Sequence, residues 1–318
     1  MTFTETTMLD TQLATLMAQV HAAGLPDLCE LPPQAARGLY RQIIAGADGP
    51  PADVGVADHH TDGAHPVALR VYTPHTAGLH GVVVYFHGGG YVLGDVDSYD
   101  SICRRLCEDS AAVVVSVDYR LAPEHPYPAA WDDAWAALRW VSAHASQLGA
   151  DPARLAVAGD SAGAVLATAV ALMARDAGGP HIACQALLYP PAAGGRDGAY
   201  PSRTSHAAGP TLTLRTMEYF SRHTFGPEGR AADWRGAPLH APDLSRLPPG
   251  VLMIAGHDPL RDEALAYGDA LVEAGNAITV VEYHGLAHGF IGMGGAIGAA
   301  RLAQQQFGHA LRAALAAR

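Results

Sequence analysis

The sequence contains no lysine: all 20 residues counted as Lys+Arg are arginines. Without a side-chain amine there can be no Schiff-base lysine, no pyridoxal phosphate anchor, no Ser-Lys dyad and no GxxxxGK(S/T) phosphate loop. Charge of either sign is scarce, at 16% of 318 residues where about a quarter is usual. The balance is acidic, with 31 Asp+Glu and a formal net charge of -11. No basic stripe stands out, so neither nucleic acid nor an anionic membrane is an expected partner. Four cysteines (Cys29, Cys103, Cys107 and Cys184) do not make a disulfide scaffold in a chain this long. Cys103 and Cys107 would be neighbours on a helix face, but no third ligand accompanies them. Long apolar runs are missing too. Ala162 to Ala174 is interrupted by Gly163 and Thr168 and ends at Arg175-Asp176, too short to span a bilayer. Met1 to Asp10 has neither the basic nor the apolar region of a signal peptide, so a cytoplasmic location is expected.

What is present is a hydrophobic fraction of 49%, enough for a large core in one large or two ordinary domains. Mid-chain, short apolar runs alternate with amphipathic patterns, which predicts an α/β fold with a mostly parallel sheet covered on both faces. The expected buried strands are Val82 to Phe86, Ala111 to Val117, Leu155 to Ala158, Ala186 to Tyr189, Val251 to Ile254 and Ile278 to Tyr283. Asp53 to Asp58 and Pro66 to Tyr72 add an antiparallel start across the turn from His59 to His65, giving about eight strands. Helical patterns cover Trp131 to Leu148, Ala162 to Asp176, Asp262 to Ala274 and Ala299 to Ala317. Residues 1–48 read as helices ahead of the first strand. Residues 193–248, with one helical stretch near Leu212 to His223, interrupt the alternation after a strand end, where open parallel sheets place ligand sites. Both segments are expected to form one cap, leaving 49–192 and 249–318 as the catalytic domain. Tyr219, Phe220 and Trp234 would then either line a pocket or pack the cap.

The chemistry concentrates at Gly159-Asp160-Ser161-Ala162-Gly163, between a predicted strand and a predicted helix. In that setting a sharp turn exposes a serine Oγ above the sheet, and glycine at both ends relieves a clash. The helix start adds unpaired N–H groups and a positive dipole end beside Ser161. His87-Gly88-Gly89-Gly90 follows the strand ending at Phe86, and its glycines let bare N–H groups approach a substrate oxygen. Gly88, Gly89 and Gly90, with the N–H of Ala162, are therefore the candidate oxyanion hole. A serine needs a base, and among 17 histidines position favours His288, in the loop after the last strand. His284 is held in reserve. Asp258, after the preceding strand, is the candidate carboxylate that orients the base. Asp262 and Glu263 are assigned to the first turn of a helix, and Asp160 to a structural role. His59, His60 and His65 sit in a polar turn and are not expected to hold a metal.

These blocks resemble the hormone-sensitive-lipase-like branch of the α/β-hydrolases, the bacterial family IV esterases. The resemblance is carried by Tyr85 to Gly90, Gly94 to Asp100, Asp118 to Pro126, Gly159 to Gly163, Asp258 to Glu263 and His288-Gly-Phe290. It implies an α/β-hydrolase fold with eight strands and a helical cap, and hydrolysis of carboxylic esters. By position it makes Ser161 the nucleophile, completes a triad with Asp258 and His288, and gives the glycine loop to the oxyanion. Arg120 and Glu124 would brace loops below the site, and Gly209 to Thr213 resembles a cap segment near the acyl pocket. A homodimer through the last strand or helix would suit the family.

The expected activity is a serine carboxylesterase acting on small or short-chain esters through an acyl-enzyme, with no metal or organic cofactor. An amidase, deformylase or lactonase could use the same triad. A ligand-binding receptor on a hydrolase scaffold is the alternative of a different class, and the intact Ser161, Asp258 and His288 argue against it. The lysine-free, arginine- and alanine-rich composition reads as a GC-rich bacterial coding bias.

Overall fold

The apolar runs become one sheet in a computed structural model that describes residues 8–196 and 200–316. The expectations that reach into residues 1–7, 197–199 and 317–318, at the N-terminal segment, the insertion and the last helix, lie outside the described residues. The chain opens with α1 (Thr11–Ala22) and α2 (Pro33–Ala47), then β1 (Gly55–His60), β2 (Ala68–Thr73) and β3 (His80–Phe86). Alternation follows through α3 (Asp100–Ser110), β4 (Val113–Asp118), α4 (Ala129–His144), β5 (Ala150–Asp160), α5 (Ala162–Ala177) and β6 (Cys184–Leu188). After α6 (Pro201–Ser205) and α7 (Leu214–Phe225) it resumes with β7 (Gly250–His257), α8 (Arg261–Glu273), β8 (Ile278–Ala287) and α9 (Gly298–Ala314). The sheet order is β1-β2-β4-β3-β5-β6-β7-β8. β2 runs antiparallel to both of its neighbours, and every other pairing is parallel. This is the α/β-hydrolase fold.

The strands read as unbroken apolar runs because both faces of the sheet are buried. Val82, Val84 and Phe86 of β3 point into a core shared with Trp131 and Leu138 of α4 and Val165 of α5. Val83 and Tyr85 point the other way, towards Leu106 of α3 and Phe307 of α9. The helix ahead of the sheet starts where Asp10 caps it, accepting from the N–H groups of Gln12 (2.8 Å) and Leu13 (3.2 Å). Pro33 opens α2 at a position that needs no N–H donor.

Several boundaries differ from the sequence expectation. The helix from Ala129 stops at His144, and residues 145–148 tighten into a 3-10 turn. β1 runs through His59 and His60, which shortens the turn before β2. β5 begins at Ala150. β8 continues past Tyr283 to Ala287, so His284 lies within a strand rather than in a loop.

The placement of α5 decides where the site forms. A Cβ on Gly163 would stand 1.9 Å from the carbonyl oxygen of Phe86 and 2.5 Å from that of His87. The helix therefore meets the end of β3 backbone to backbone. Gly163→Ala is expected to cost at least about 2 kcal/mol, read as a lower urea midpoint. Wild-type stability in that variant would mean that α5 can retreat without loss.

Candidate active site

Ser161 sits between β5 and α5 at φ 53 and ψ -120, a left-handed φ that costs strain in any residue with a Cβ. The turn holds because both flanking glycines are in contact with backbone. A Cβ on Gly159 would lie 2.4 Å from the carbonyl oxygen of Gly163. The Ser161 N–H donates to the Leu188 carbonyl at 2.8 Å, tying the elbow to β6.

Strand register brings the partners level with one another. Phe86 pairs with Gly159, so the glycine loop and the elbow leave adjacent strands side by side. On β7 and β8 the register slips: Ala255 faces Tyr283, but His257 faces Ala287. Two extra residues in β8 thus raise His288 to the level of Asp258, whereas an unbroken register would have brought Leu286 there. Irregularities of this kind re-aim side chains at sites. His288 Nδ1 lies 2.6 Å from Asp258 Oδ2, and its Nε2 lies 2.8 Å from Ser161 Oγ. An ionised carboxylate only accepts, so Nδ1 carries the proton and Nε2 is free to accept from Ser161. Asp258 is fully buried, and its other oxygen accepts from the Leu260 N–H at 2.8 Å. The Tyr189 ring packs 4.6 Å from the imidazole. His284 points elsewhere, 3.3 Å from Glu282.

The glycine loop departs from expectation at one residue. The Gly88 N–H donates to Asp160 Oδ1 at 2.8 Å, so it is committed and does not face the cavity as an oxyanion donor. The N–H groups of Gly89, Gly90 and Ala162 meet no acceptor among the described residues, and all three residues line the cavity beside Ser161. Gly90 has φ 62, and a Cβ there would lie 2.2 Å from the Phe220 ring. His87 is a brace rather than a base. Its ring stacks on Tyr119 at 4.2 Å, and burial pulls it down to about 4, so it stays neutral.

Asp160 turns away from the serine and accepts from three groups: Tyr85 OH at 2.8 Å, Gly88 N–H at 2.8 Å and Tyr99 OH at 3.0 Å. With the Tyr99 proton given to Asp160, the Tyr40 hydroxyl of α2 donates to Tyr99 at 3.0 Å. Tyr40, Tyr85 and Tyr99 had no assigned role in the sequence. Tyr99 stands in the block from Gly94 to Asp100, and its place in that block was the available signal.

Ser161 and His288 open into a cavity of about 900 Å³. Its walls are mostly apolar and come from α1 (Met17), α2 (Ile43), the segment 209–213 and α7 (Met217, Phe220). Phe220 therefore lines the pocket. Tyr219 instead donates to the Leu31 carbonyl at 3.1 Å, and Trp234 packs against the core beneath. Glu263, on the first turn of α8, is fully buried against Arg203 of α6, and burial pushes it up to about 7. Arg120 and Glu124 each brace a different partner. Arg120 holds Asp133 at 2.7 Å. Glu124 holds Arg37 of α2 at 2.6 Å, and that guanidinium draws its carboxyl down to about 2. His59 packs on Trp140. Among the described residues, no three His, Cys, Asp or Glu side chains cluster as metal ligands. Cys103 and Cys107 are buried free thiols, both pushed up by burial, Cys107 to about 12.

Residues 83–292 match the family described as alpha/beta hydrolase fold. Esterase LipI of Mycobacterium tuberculosis is 42% identical over 292 residues, covering 91% of this chain and 87% of that protein. An ethyl acetate hydrolase of Pseudomonas putida is 35% identical over 261 residues, covering 80% of this chain and 81% of its own. A solved hyperthermophilic esterase from the archaeon Pyrobaculum calidifontis superposes with a TM-score of 0.90 at 37% identity, over 97% of this chain and 100% of that one.

Asp160 makes a pH prediction. Burial, opposed by its hydrogen bonds, pushes this carboxyl up to about 6, against about 3.9 in an unfolded chain. Between those values the folded state binds the extra proton, so the stability owed to Asp160 falls as pH rises from about 4 to about 6, then levels. The unfolding free energy of wild type minus that of Asp160→Asn should drop over this interval by up to about 3 kcal/mol. Urea titrations across the range read it, and a difference that rises with pH would show that the hydrogen bonds outweigh burial.

Proposed function

The chain belongs to the α/β-hydrolase fold family, in its hormone-sensitive-lipase-like branch, and from that membership we propose a serine carboxylesterase with Ser161 as its nucleophile. The observation that carries the reading is the unbroken line from Asp258 through His288 to Ser161, with spacings of 2.6 and 2.8 Å, at a cavity lined by N–H donors without acceptors. Ser161 Oγ attacks the ester carbonyl carbon while His288 Nε2 takes its proton. Asp258 holds the imidazole in the tautomer that can accept, and stabilises the imidazolium without itself being protonated. The negative charge moves to the carbonyl oxygen, where the N–H groups of Gly89, Gly90 and Ala162 receive it. Loss of one such donor typically costs ~10²–10³ in rate. Collapse expels the alcohol, which takes the proton from His288. Water, deprotonated by the same histidine, then attacks the acyl-enzyme, and the acid is released as Ser161 Oγ leaves and takes the proton back from His288. Every step uses groups of this chain, and no metal or organic cofactor is required.

Small and short-chain esters are the proposed substrates. A cavity of about 900 Å³ with apolar walls is of the size that encloses small molecules. The relative named ethyl acetate hydrolase is consistent with that class. We read α1 and α2, together with α6, α7 and the loops of 193–196 and 206–248, as the cap over the C-terminal ends of the strands. The lysine-free, arginine- and alanine-rich composition supports a bacterial source. β8, one of the two edge strands, leaves Val280 exposed, and an edge strand of this kind supports pairing between two copies.

The purified enzyme should hydrolyse p-nitrophenyl acetate and butyrate. Ser161→Ala should lose at least about a thousandfold in kcat and all labelling by a fluorophosphonate. Full activity in that variant removes the assignment. A rate that climbs from butyrate to palmitate, or faster turnover of amides or lactones in the same panel, removes the short-chain ester class.

A further inference from the structure

His288 is held at three places, and two belong to the ordinary account: Asp258 at Nδ1 and the Tyr189 ring at its side. The third is its backbone carbonyl, which accepts a hydrogen bond from Thr211 Oγ1 at 2.8 Å, across 77 positions of chain. Among the described residues no other donor reaches that oxygen. The next residue, Gly289, has φ 78, so the chain reverses immediately after the base with little to steady it. Gly292 N–H to Gly289 O, at 3.1 Å, closes the turn only further on.

The segment carrying Thr211 is itself stiff. Ala208 and Thr213 form an antiparallel bridge, and Leu214 N–H returns to the Ala207 carbonyl at 3.0 Å. A Cβ on Gly209 would stand 2.6 Å from the Leu212 carbonyl oxygen, so the loop closes on itself. The helix just ahead of it, α6, is anchored beside the acid, because Ser202 Oγ donates to the Pro259 carbonyl at 2.9 Å and its N–H to Asp262 at 2.8 Å. Thr211 and Leu212 also line the cavity that Ser161 faces. The hydroxyl that fixes His288 is thus delivered by the wall against which a substrate must rest.

We propose that Thr211 is a positioning residue: its hydroxyl fixes the peptide after His288, and so the direction in which the imidazole meets Ser161. The inference rests on the esterase reading above. Fixing that carbonyl fixes ψ of His288 and with it the line along which the side chain leaves the backbone. Displacements of about 1 Å at a reacting group can cost about a hundredfold in rate. Base alignment therefore depends on segment 209–213 being seated, and opening of this segment disengages the base from the serine.

The test compares wild type, Thr211→Val, Thr211→Ser and Ser161→Ala on p-nitrophenyl butyrate. Valine keeps the shape and removes the donor, and serine keeps the donor. Thr211→Val is expected to lower kcat about tenfold with KM changed less than about twofold, and to slow fluorophosphonate labelling in parallel. Thr211→Ser should stay within about twofold of wild type in kcat. The clamp is overturned if Thr211→Val keeps its kcat, if the serine variant falls as far as valine, or if the loss lies only in KM. Should valine fail to fold, Thr211→Ala takes its place against serine under the same criteria. An inactive wild type, or an active Ser161→Ala, overturns the esterase reading itself. A dead Ser161→Ala beside an unaffected Thr211→Val overturns only the clamp.

Discussion

Backbone meets backbone where helix α5 crosses the end of β3, and the other features of the site follow from that contact. Gly163 leaves no side chain between the helix and the Phe86 and His87 carbonyls. Gly159 does the same within the turn, which lets Ser161 hold φ 53. The consequence is positional. The glycine loop leaves β3 and the elbow leaves β5 from paired residues, so the N–H groups of Gly89, Gly90 and Ala162 line one cavity with the serine. Donors fixed by backbone packing need little reorganisation when charge develops, which is where such sites obtain most of their advantage.

Asp160 supplies the second constraint, and its position carries a cost. A carboxyl beside the proposed nucleophile is buried, and burial opposes its ionisation. It is retained with its full complement of donors from Tyr85, Tyr99 and Gly88. Satisfied in this way, a buried polar group orders what surrounds it. Here the ordered element is the start of the glycine loop. Spending the Gly88 N–H on Asp160 removes one candidate donor and steadies the two glycines that follow.

Much of this was legible in the sequence, for reasons that differ by feature. The sheet showed itself because strands buried on both faces are continuous apolar runs, and the elbow because its glycines are sterically required. Asp258 and His288 were readable from chain order and from their places after β7 and β8. What escaped were relations that depend on three-dimensional register. The slip between β7 and β8, which lifts His288 level with Asp258 and leaves His284 in the strand, has no signature in composition. Gly88 looked equivalent to its neighbours because nothing in a run of three glycines says which N–H turns inward. Arg120 and Glu124 were read together, yet each serves a separate partner, Asp133 and Arg37. Tyr219 and Phe220 divided between packing and pocket although both stand on α7, while Trp234, in a turn beyond that helix, packs on the core.

The segments that cover the sheet are bound to its chemistry by hydrogen bonds more than by area. Arg37 of α2 reaches the Val92 and Ala122 carbonyls as well as Glu124, fixing the far end of the glycine loop. Tyr40, one turn on, reaches Tyr99 and through it Asp160. Ser202 and Thr211 hold the carbonyls of Pro259 and His288. Ser161 is thus tied to β6, whereas the end of the glycine loop, the Pro259 carbonyl next to Asp258 and the carbonyl of His288 are each held by a residue of the segments outside the sheet. The cavity-facing residues Met217 and Phe220 of α7 can change without disturbing Ser161. The same freedom does not extend to Thr211 or Tyr40, whose polar atoms are committed to the machinery below. Variation in specificity within this architecture is therefore expected at the apolar wall positions, while the hydroxyls that bridge cover and sheet stay fixed.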